Sequence, residues 1–257
     1  MRNSGKRTLR HSWLVQCGRT VLFLKNHIDK GNKGIFTTLL TLFFLSPFPL
    51  FALDPAKSLN QYGHIVWLRH NGLPSNAVNV VMQTHDGYLW FGTSAGLFRF
   101  DGVSFSKLNI GLENTNSYET ILSLTETSDG SLWIGTEYNG LRQWKNGIIK
   151  RYGKDEGFFD TQVKEIFETR TKQLLIGTSI GVFLLDHDKF KPIFGNPNYI
   201  TAIAEDSAAN IWIGTHNGVH VLSNDTYKNV LNISTKNGLL NDHVESIFID
   251  QKGSVWI

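Results

Sequence analysis

The sequence predicts an all-β fold: a β-propeller built from four-stranded blades and incomplete in this chain. Three observations predict it. A short Leu-Trp-Ile-Gly-Thr-like string occurs four times and begins a fifth. Turn signals punctuate the chain at roughly 8–12-residue intervals, the spacing of short antiparallel strands. No long stretch carries the 3.6-residue apolar period of a helix.

The recurring string reads Leu89-Trp90-Phe91-Gly92-Thr93, Leu132-Trp133-Ile134-Gly135-Thr136, Leu174-Leu175-Ile176-Gly177-Thr178 and Ile211-Trp212-Ile213-Gly214-Thr215, and begins again at Val255-Trp256-Ile257. Successive Trp positions are 43, 42, 37 and 44 residues apart. That period fits a propeller blade of roughly 40–50 residues. Each copy opens with an alternating apolar strand, such as Val78, Val80 and Met82, or Val163, Ile166 and Phe167. A tight turn follows at Asp86-Gly87, Asp129-Gly130 and Lys252-Gly253, where Gly supplies the positive φ a hairpin needs. Thr171-Lys172 and Ala209-Asn210 are weaker versions of that turn. In the next strand the Trp offers a large body for packing and the Gly a close backbone approach. A second turn and a third strand complete the shared grammar, as in Leu97–Phe100 and Val219–Leu222.

The repeats are expected near residues 72–105, 112–150, 155–191, 197–228 and 236–257, within a partial propeller spanning 61–257. The segment from Gln61 to Gly72 reads as an outer strand without its own blade, leading into Asn71-Gly72-Leu73-Pro74 as Tyr227–Ile233 leads into Asn237-Gly238-Leu239-Leu240. In a closed ring it would complete the last blade. The chain is thus expected to hold four blades, the start of a fifth and an N-terminal closing strand.

The remaining residues divide by charge. Residues 1–34 hold 8 Lys/Arg against 1 Asp, whereas residues 35–257 hold 17 Lys/Arg against 21 Asp/Glu. The net charge of +3 therefore belongs to a basic arm on a weakly acidic body. A nucleic-acid-binding body would show a basic surface, so no nucleic-acid partner is expected. Residues 35–52 are apolar and uncharged, running through Leu39, Leu40, Phe43, Phe44 and Leu45 to Ala52. A basic region, an apolar run and a small residue form the layout of an export signal. Pro47 and Pro49 disfavour a continuous spanning helix, which prefers cleavage after Ala52 over a retained anchor or a buried helix. Either of the first two keeps the arm cytoplasmic, places the body in the periplasm and ties the chain to the membrane through this segment or a later span. Residues 53–60 form a linker. The single Cys17 lies in the arm, so the body has no disulfide, thiol nucleophile or Cys-based metal site.

Combined and repeated, Gly72-Leu73-Pro74-Ser75-Asn76-Ala77-Val78, Asp86-Gly87-Tyr88-Leu89-Trp90-Phe91-Gly92-Thr93 and Gly96-Leu97-Phe98-Arg99-Phe100-Asp101-Gly102 resemble the two-component regulator propeller repeat. The resemblance covers roughly residues 60–257. It implies a periplasmic sensor domain of a bacterial membrane receptor, followed by a transmembrane helix and a histidine kinase or diguanylate cyclase, with a homodimer fitting the full receptor. The opening Leu53-Asp54-Pro55 to Tyr62 is similar to the cyclase-linked members. The third repeat departs most, with Leu175 for Trp.

The scaffold offers several candidate sites. The repeated Trp90, Trp133, Trp212 and Trp256 suit packing between blades better than sugar binding, and Thr93, Thr136, Thr178 and Thr215 suit turn hydrogen bonds. Asp86, Asp101 and Asp129 are turn formers first. His216 and His220 have a metal-ligand spacing, but Asn217-Gly218 turns the chain between them. No catalytic residue, metal site or cofactor is expected, and no enzyme activity in this chain. A ligand should bind where the repeats differ, in the segment after each Gly-Thr. Glu137, Tyr138, Asn139, His216 and Asn217 are the candidates, suited to a small molecule, glycan or peptide. The function expected is ligand sensing; a lyase-like propeller enzyme and a non-signalling interaction scaffold are the alternatives.

Overall fold

The computed structural model describes residues 16–17, 20–21, 58, 65–111, 119–160, 162–195 and 199–257. Residues 35–52, expected to be an export signal, and most of the basic arm and linker lie outside them. Gln16–Cys17 (β1) and Thr20–Val21 (β2) form a short antiparallel ladder. No helix among the described residues is long and apolar enough to cross a membrane.

The second compact unit, Ile65–Ile257, is the propeller. Its first sheet holds Val78–Gln83 (β3), Leu89–Thr93 (β4), Gly96–Phe100 (β5) and Phe105–Leu108 (β6). The second holds Ile121–Glu126 (β7), Leu132–Thr136 (β8), Leu141–Lys145 (β9) and Ile148–Tyr152 (β10). The third holds Val163–Glu168 (β11), Leu174–Thr178 (β12), Gly181–Asp186 (β13) and Lys189–Gly195 (β14). The fourth holds Ile200–Glu205 (β15), Ile211–Thr215 (β16), Gly218–Leu222 (β17) and Asn229–Ile233 (β18). Phe248–Ile249 (β19) and Val255–Trp256 (β20) pair as the start of a fifth blade. All pairings are antiparallel between sequence neighbours, as the repeat predicts.

The first strands of successive blades lie against one another, β3 on β7, β7 on β11 and β11 on β15. Each of these strands carries a register break after its first residue, at Val78/Val80, Ile121/Ser123, Val163/Glu165 and Ile200/Ala202. Such a bulge bends the strand and re-aims one side chain. Asn79, at the extra position, donates to the carbonyl of Ile121 at 2.9 Å, and Thr201 to that of Val244 at 2.7 Å. Ser123, one residue on from that position, reaches the carbonyl of Val163 at 3.3 Å.

The core is a series of seams between blades. Trp90 packs with Ile121, Leu124 and Ile134 in the first, and Trp133 with Val163, Ile166 and Ile176 in the second. Leu175 packs with Ile200 and Ile203 in the third, and Trp212 with Val244 and Ile247 in the fourth. Burying both faces of a sheet in this way supplies the hydrophobic term that holds a blade in the ring. Each Trp also anchors the preceding turn through its indole N–H, which reaches Thr84 at 3.0 Å, Thr127 at 3.2 Å and Asp206 at 3.0 Å.

The glycine of each Gly-Thr pair makes these seams possible. A Cβ on Gly92 would lie 2.8 Å from the Ile121 side chain, and one on Gly177 2.7 Å from that of Ile200. The Asp-Gly hairpin persists where Gly is missing: Lys172 and Ala209 take φ of 67° and 64°, beside 88° at Gly87. Tertiary pairing imposes the left-handed turn there against local preference.

At the N-terminal side, Ile65–Leu68 leads into a 3-10 turn at Arg69–Asn71, and the Leu73 N–H donates back to the Leu68 carbonyl at 3.1 Å. Trp67 packs edge-on against Phe100 and Phe105, with centroids 5.1 and 6.3 Å away. Tyr152 at the end of β10 packs on Phe190 of the next blade in the same relative position, at 5.4 Å.

Candidate functional site

Two kinds of segment share one face of the propeller: the turn between the second and third strands, and the segment leading into each first strand. Backbone bonds join them, from Ser94 N–H to Ala77 O, Glu137 N–H to Thr120 O, and Val244 N–H to Thr215 O. The uniform part of this face is the buried threonine. Thr93, Thr136, Thr178 and Thr215 each donate to the carbonyl of Gly96, Gly140, Gly181 or Gly218 at 2.9 Å. Each hydroxyl also accepts a backbone N–H from its own turn, including those of Asn139 and Asn217. The residues between these anchors are free to differ.

The sequence candidates all lie on this face. Glu137, Tyr138 and Asn139 form the turn of the second blade, and Tyr138 is 67% exposed. A hydrogen bond to Glu137 holds the Tyr138 hydroxyl above the usual tyrosine range. His216 and Asn217 form the exposed turn of the fourth blade. The two groups sit in non-adjacent blades, with Ser179 and Ile180 of the third between them. Ser179 is tied to Asp160 through its N–H at 2.9 Å and its hydroxyl at 2.7 Å.

His216 does not meet His220, whose ring lies against Phe194 and whose Nδ1 is 2.7 Å from Asn232 Oδ1. It meets Tyr199 and His243 instead. The Tyr199 and His216 rings stack at 5.5 Å, and His216 and His243 lie 4.0 Å apart. His243 Nε2 is 2.9 Å from Glu245 Oε1. Spacing alone does not reveal this cluster, because its members come from two blades. Among the described residues no group of three or more His, Cys, Asp or Glu side chains converges on a metal position.

Two charged side chains break the repeat elsewhere. Arg142 stands where the other blades carry Phe98, Phe183 and His220, and its Nη1 is 2.7 Å from Glu119 Oε1. Glu165 stands where they carry Val80, Ser123 and Ala202, and burial pushes its carboxyl up to about 7.

The two component regulator propeller family matches residues 72–95, 116–138 and 195–217. Those segments lie in the first, second and fourth repeats. Its fold is similar to the extracellular domain described as that of a hybrid two component system from B. thetaiotaomicron, with 26% identity and a TM-score of 0.59. That match covers 72% of this chain but only 26% of the other, so the chain spans about a quarter of that domain. Virginiamycin B lyase from Staphylococcus aureus is similar at 16% identity and a TM-score of 0.53, over 70% of this chain and 62% of the lyase. At that identity the likeness shows the propeller fold alone. No curated protein matches the sequence.

Proposed function

We propose that this chain is the periplasm-facing, ligand-sensing propeller region of a bacterial signal-transduction receptor whose output module lies outside the sequence. One observation carries the proposal: recurring seams and threonine anchors support turns that differ from blade to blade on a single face. Variable segments on a rigid scaffold are where binding specificity resides. The family of the repeats and the likeness to a receptor's extracellular domain support the same reading. The basic arm and apolar segment 35–52 are consistent with export of the body.

In this reading the chain acts by binding, through Glu137, Tyr138, Asn139, His216 and Asn217. A bound molecule shifts a receptor only by its different affinity for the two signalling states. The ligand is a small molecule, glycan or peptide. Hydrogen exchange of the chain across a panel of saccharides and peptides tests this. A ligand that protects residues 137–139 or 216–217 supports the proposal. Protection confined to the opposite turns around Asp86 and Asp129 overturns it, and so does chemical turnover of the ligand.

A further inference from the structure

The seam between the fourth and fifth blades carries side chains that no other seam has. The residue preceding Val78, Ile121 and Val163 in the first three repeats is Ala77, Thr120 and Gln162, but the residue preceding Ile200 and Val244 in the last two is Tyr199 and His243. The residue after the Gly-Thr threonine is Ser94, Glu137 and Ser179, then His216. Only here do all three positions hold rings, and the structure stacks them as Tyr199, His216 and His243. Packing residues repeat from blade to blade in this chain; these do not, and all three are exposed.

Two further features bear on what such a ledge receives. Tyr199 sits at φ 45°, a left-handed conformation that a bulky residue adopts only when its surroundings impose it. Glu245, next to Val244, is 82% exposed and contacts His243 through Oε1. The described inner loops of this face, 74–77, 94–95, 137–139, 158–160, 179–180, 216–217 and 239–243, contain Glu137, Asp160 and Asp242 but no Lys or Arg. Arg69, Lys154 and Lys236 belong to the 3-10 turns at the rim, and Lys164 to the first strand of the third blade.

Resting on the sensor reading above, we propose that Tyr199, His216, His243 and Glu245 form a binding ledge for an organic ammonium ion, carried by a lysyl side chain or a quaternary amine. The Tyr199 ring face attracts a cation through its quadrupole, the two imidazoles extend the flat surface beside it, and the Glu245 carboxylate supplies the ion pair. The lack of basic side chains on the surrounding loops favours a cation and disfavours an anion.

Calorimetric titration of the full chain with tetra-lysine peptide and, separately, with tetramethylammonium tests the proposal. Glu245→Gln and Tyr199→Asn are each expected to weaken binding at least tenfold, because Asn tolerates the left-handed backbone but offers no ring. Asp188→Asn, in a turn of the opposite face, is expected to leave it unchanged and so controls for general attraction to an acidic body. Binding of the peptide alone identifies a lysyl group, and binding of tetramethylammonium identifies a quaternary amine; either supports the ledge. Equal affinity in all variants, equal binding of tetra-glutamate, or no binding of either cation overturns it. If a neutral saccharide protects this face while both cations fail, the ammonium chemistry falls and the sensor reading stands.

Discussion

Arg142 and Glu119 form a fully buried ion pair at 2.7 Å, with their side chains 1% and 2% exposed. Among the described residues, Glu119 Oε2 and Arg142 Nη2 have no hydrogen-bond partner. Removing two charges from water costs more than one contact returns, so such a pair specifies geometry more than it stabilises. Arg142→Ala or Glu119→Ala alone should destabilise by about 3–5 kcal/mol, because each leaves a lone buried charge. The double change Arg142→Phe with Glu119→Leu, which restores the aromatic of the other blades, should be neutral or stabilising. Denaturant unfolding of the three variants checks this; a double variant as weak as the singles would refute it.

Gly135 is expected to be the least replaceable of the seam glycines. A Cβ there would lie 2.1 Å from Ser123 Oγ, 2.6 Å from Val163 Cγ1 and 2.9 Å from the Val163 carbonyl. The last is backbone and cannot swing aside. Gly135→Ala should therefore cost about 1–3 kcal/mol, the usual range for overpacking. Thermal unfolding measures it, and an unchanged midpoint would show that the second and third blades are not held this close.

Glu165 makes stability depend on pH. Burial raises its carboxyl from 4.5 to about 7 in the folded chain. The folded state therefore prefers the neutral acid. Its stabilising contribution is complete below pH 4.5 and is lost as pH rises through about 7. Glu165→Gln should remove this dependence and leave the chain more stable than the parent at pH 8. Unfolding midpoints of both proteins between pH 5 and pH 8 test it; parallel curves would place the carboxyl in water.

Strands, turns and seams were legible because each is specified locally and then repeated. Trp90, Gly92 and Thr93 recur together, so one pattern announces a strand, a seam contact and a turn anchor at once. The carboxylate clasps were not legible. Glu126 accepts the His85 N–H at 2.9 Å, Glu168 the Ser128 N–H at 2.9 Å, and Glu205 the Arg170 N–H at 2.8 Å. Each clasp joins one blade's turn to the next blade's strand, across 35 to 41 residues. A glutamate ending an apolar strand reads only as a solvated end. The ring stack was hidden for the same reason. His216 was a candidate as a loop residue, but its neighbours Tyr199 and His243 are single positions that gain meaning only when two blades are set side by side.

Ala209 offers a test of how strongly the ring imposes its turns. It takes φ 64° where three other copies of the turn use Gly, and its N–H still donates to the Asp206 carbonyl at 2.9 Å. An L-residue pays about 1–2 kcal/mol for this conformation, whereas Gly pays mainly in unfolded-state entropy, about 0.5–1 kcal/mol. Ala209→Gly should then raise stability by up to about 1 kcal/mol, although glycine normally weakens a strand-rich chain. The sign is the informative part. Asp206 also accepts the N–H groups of Ala208 and Asn210 and the indole of Trp212, so the turn has no freedom to relax around Ala209. A destabilised Ala209→Gly would mean that the turn opens in solution and that Ala209 carries no left-handed strain there.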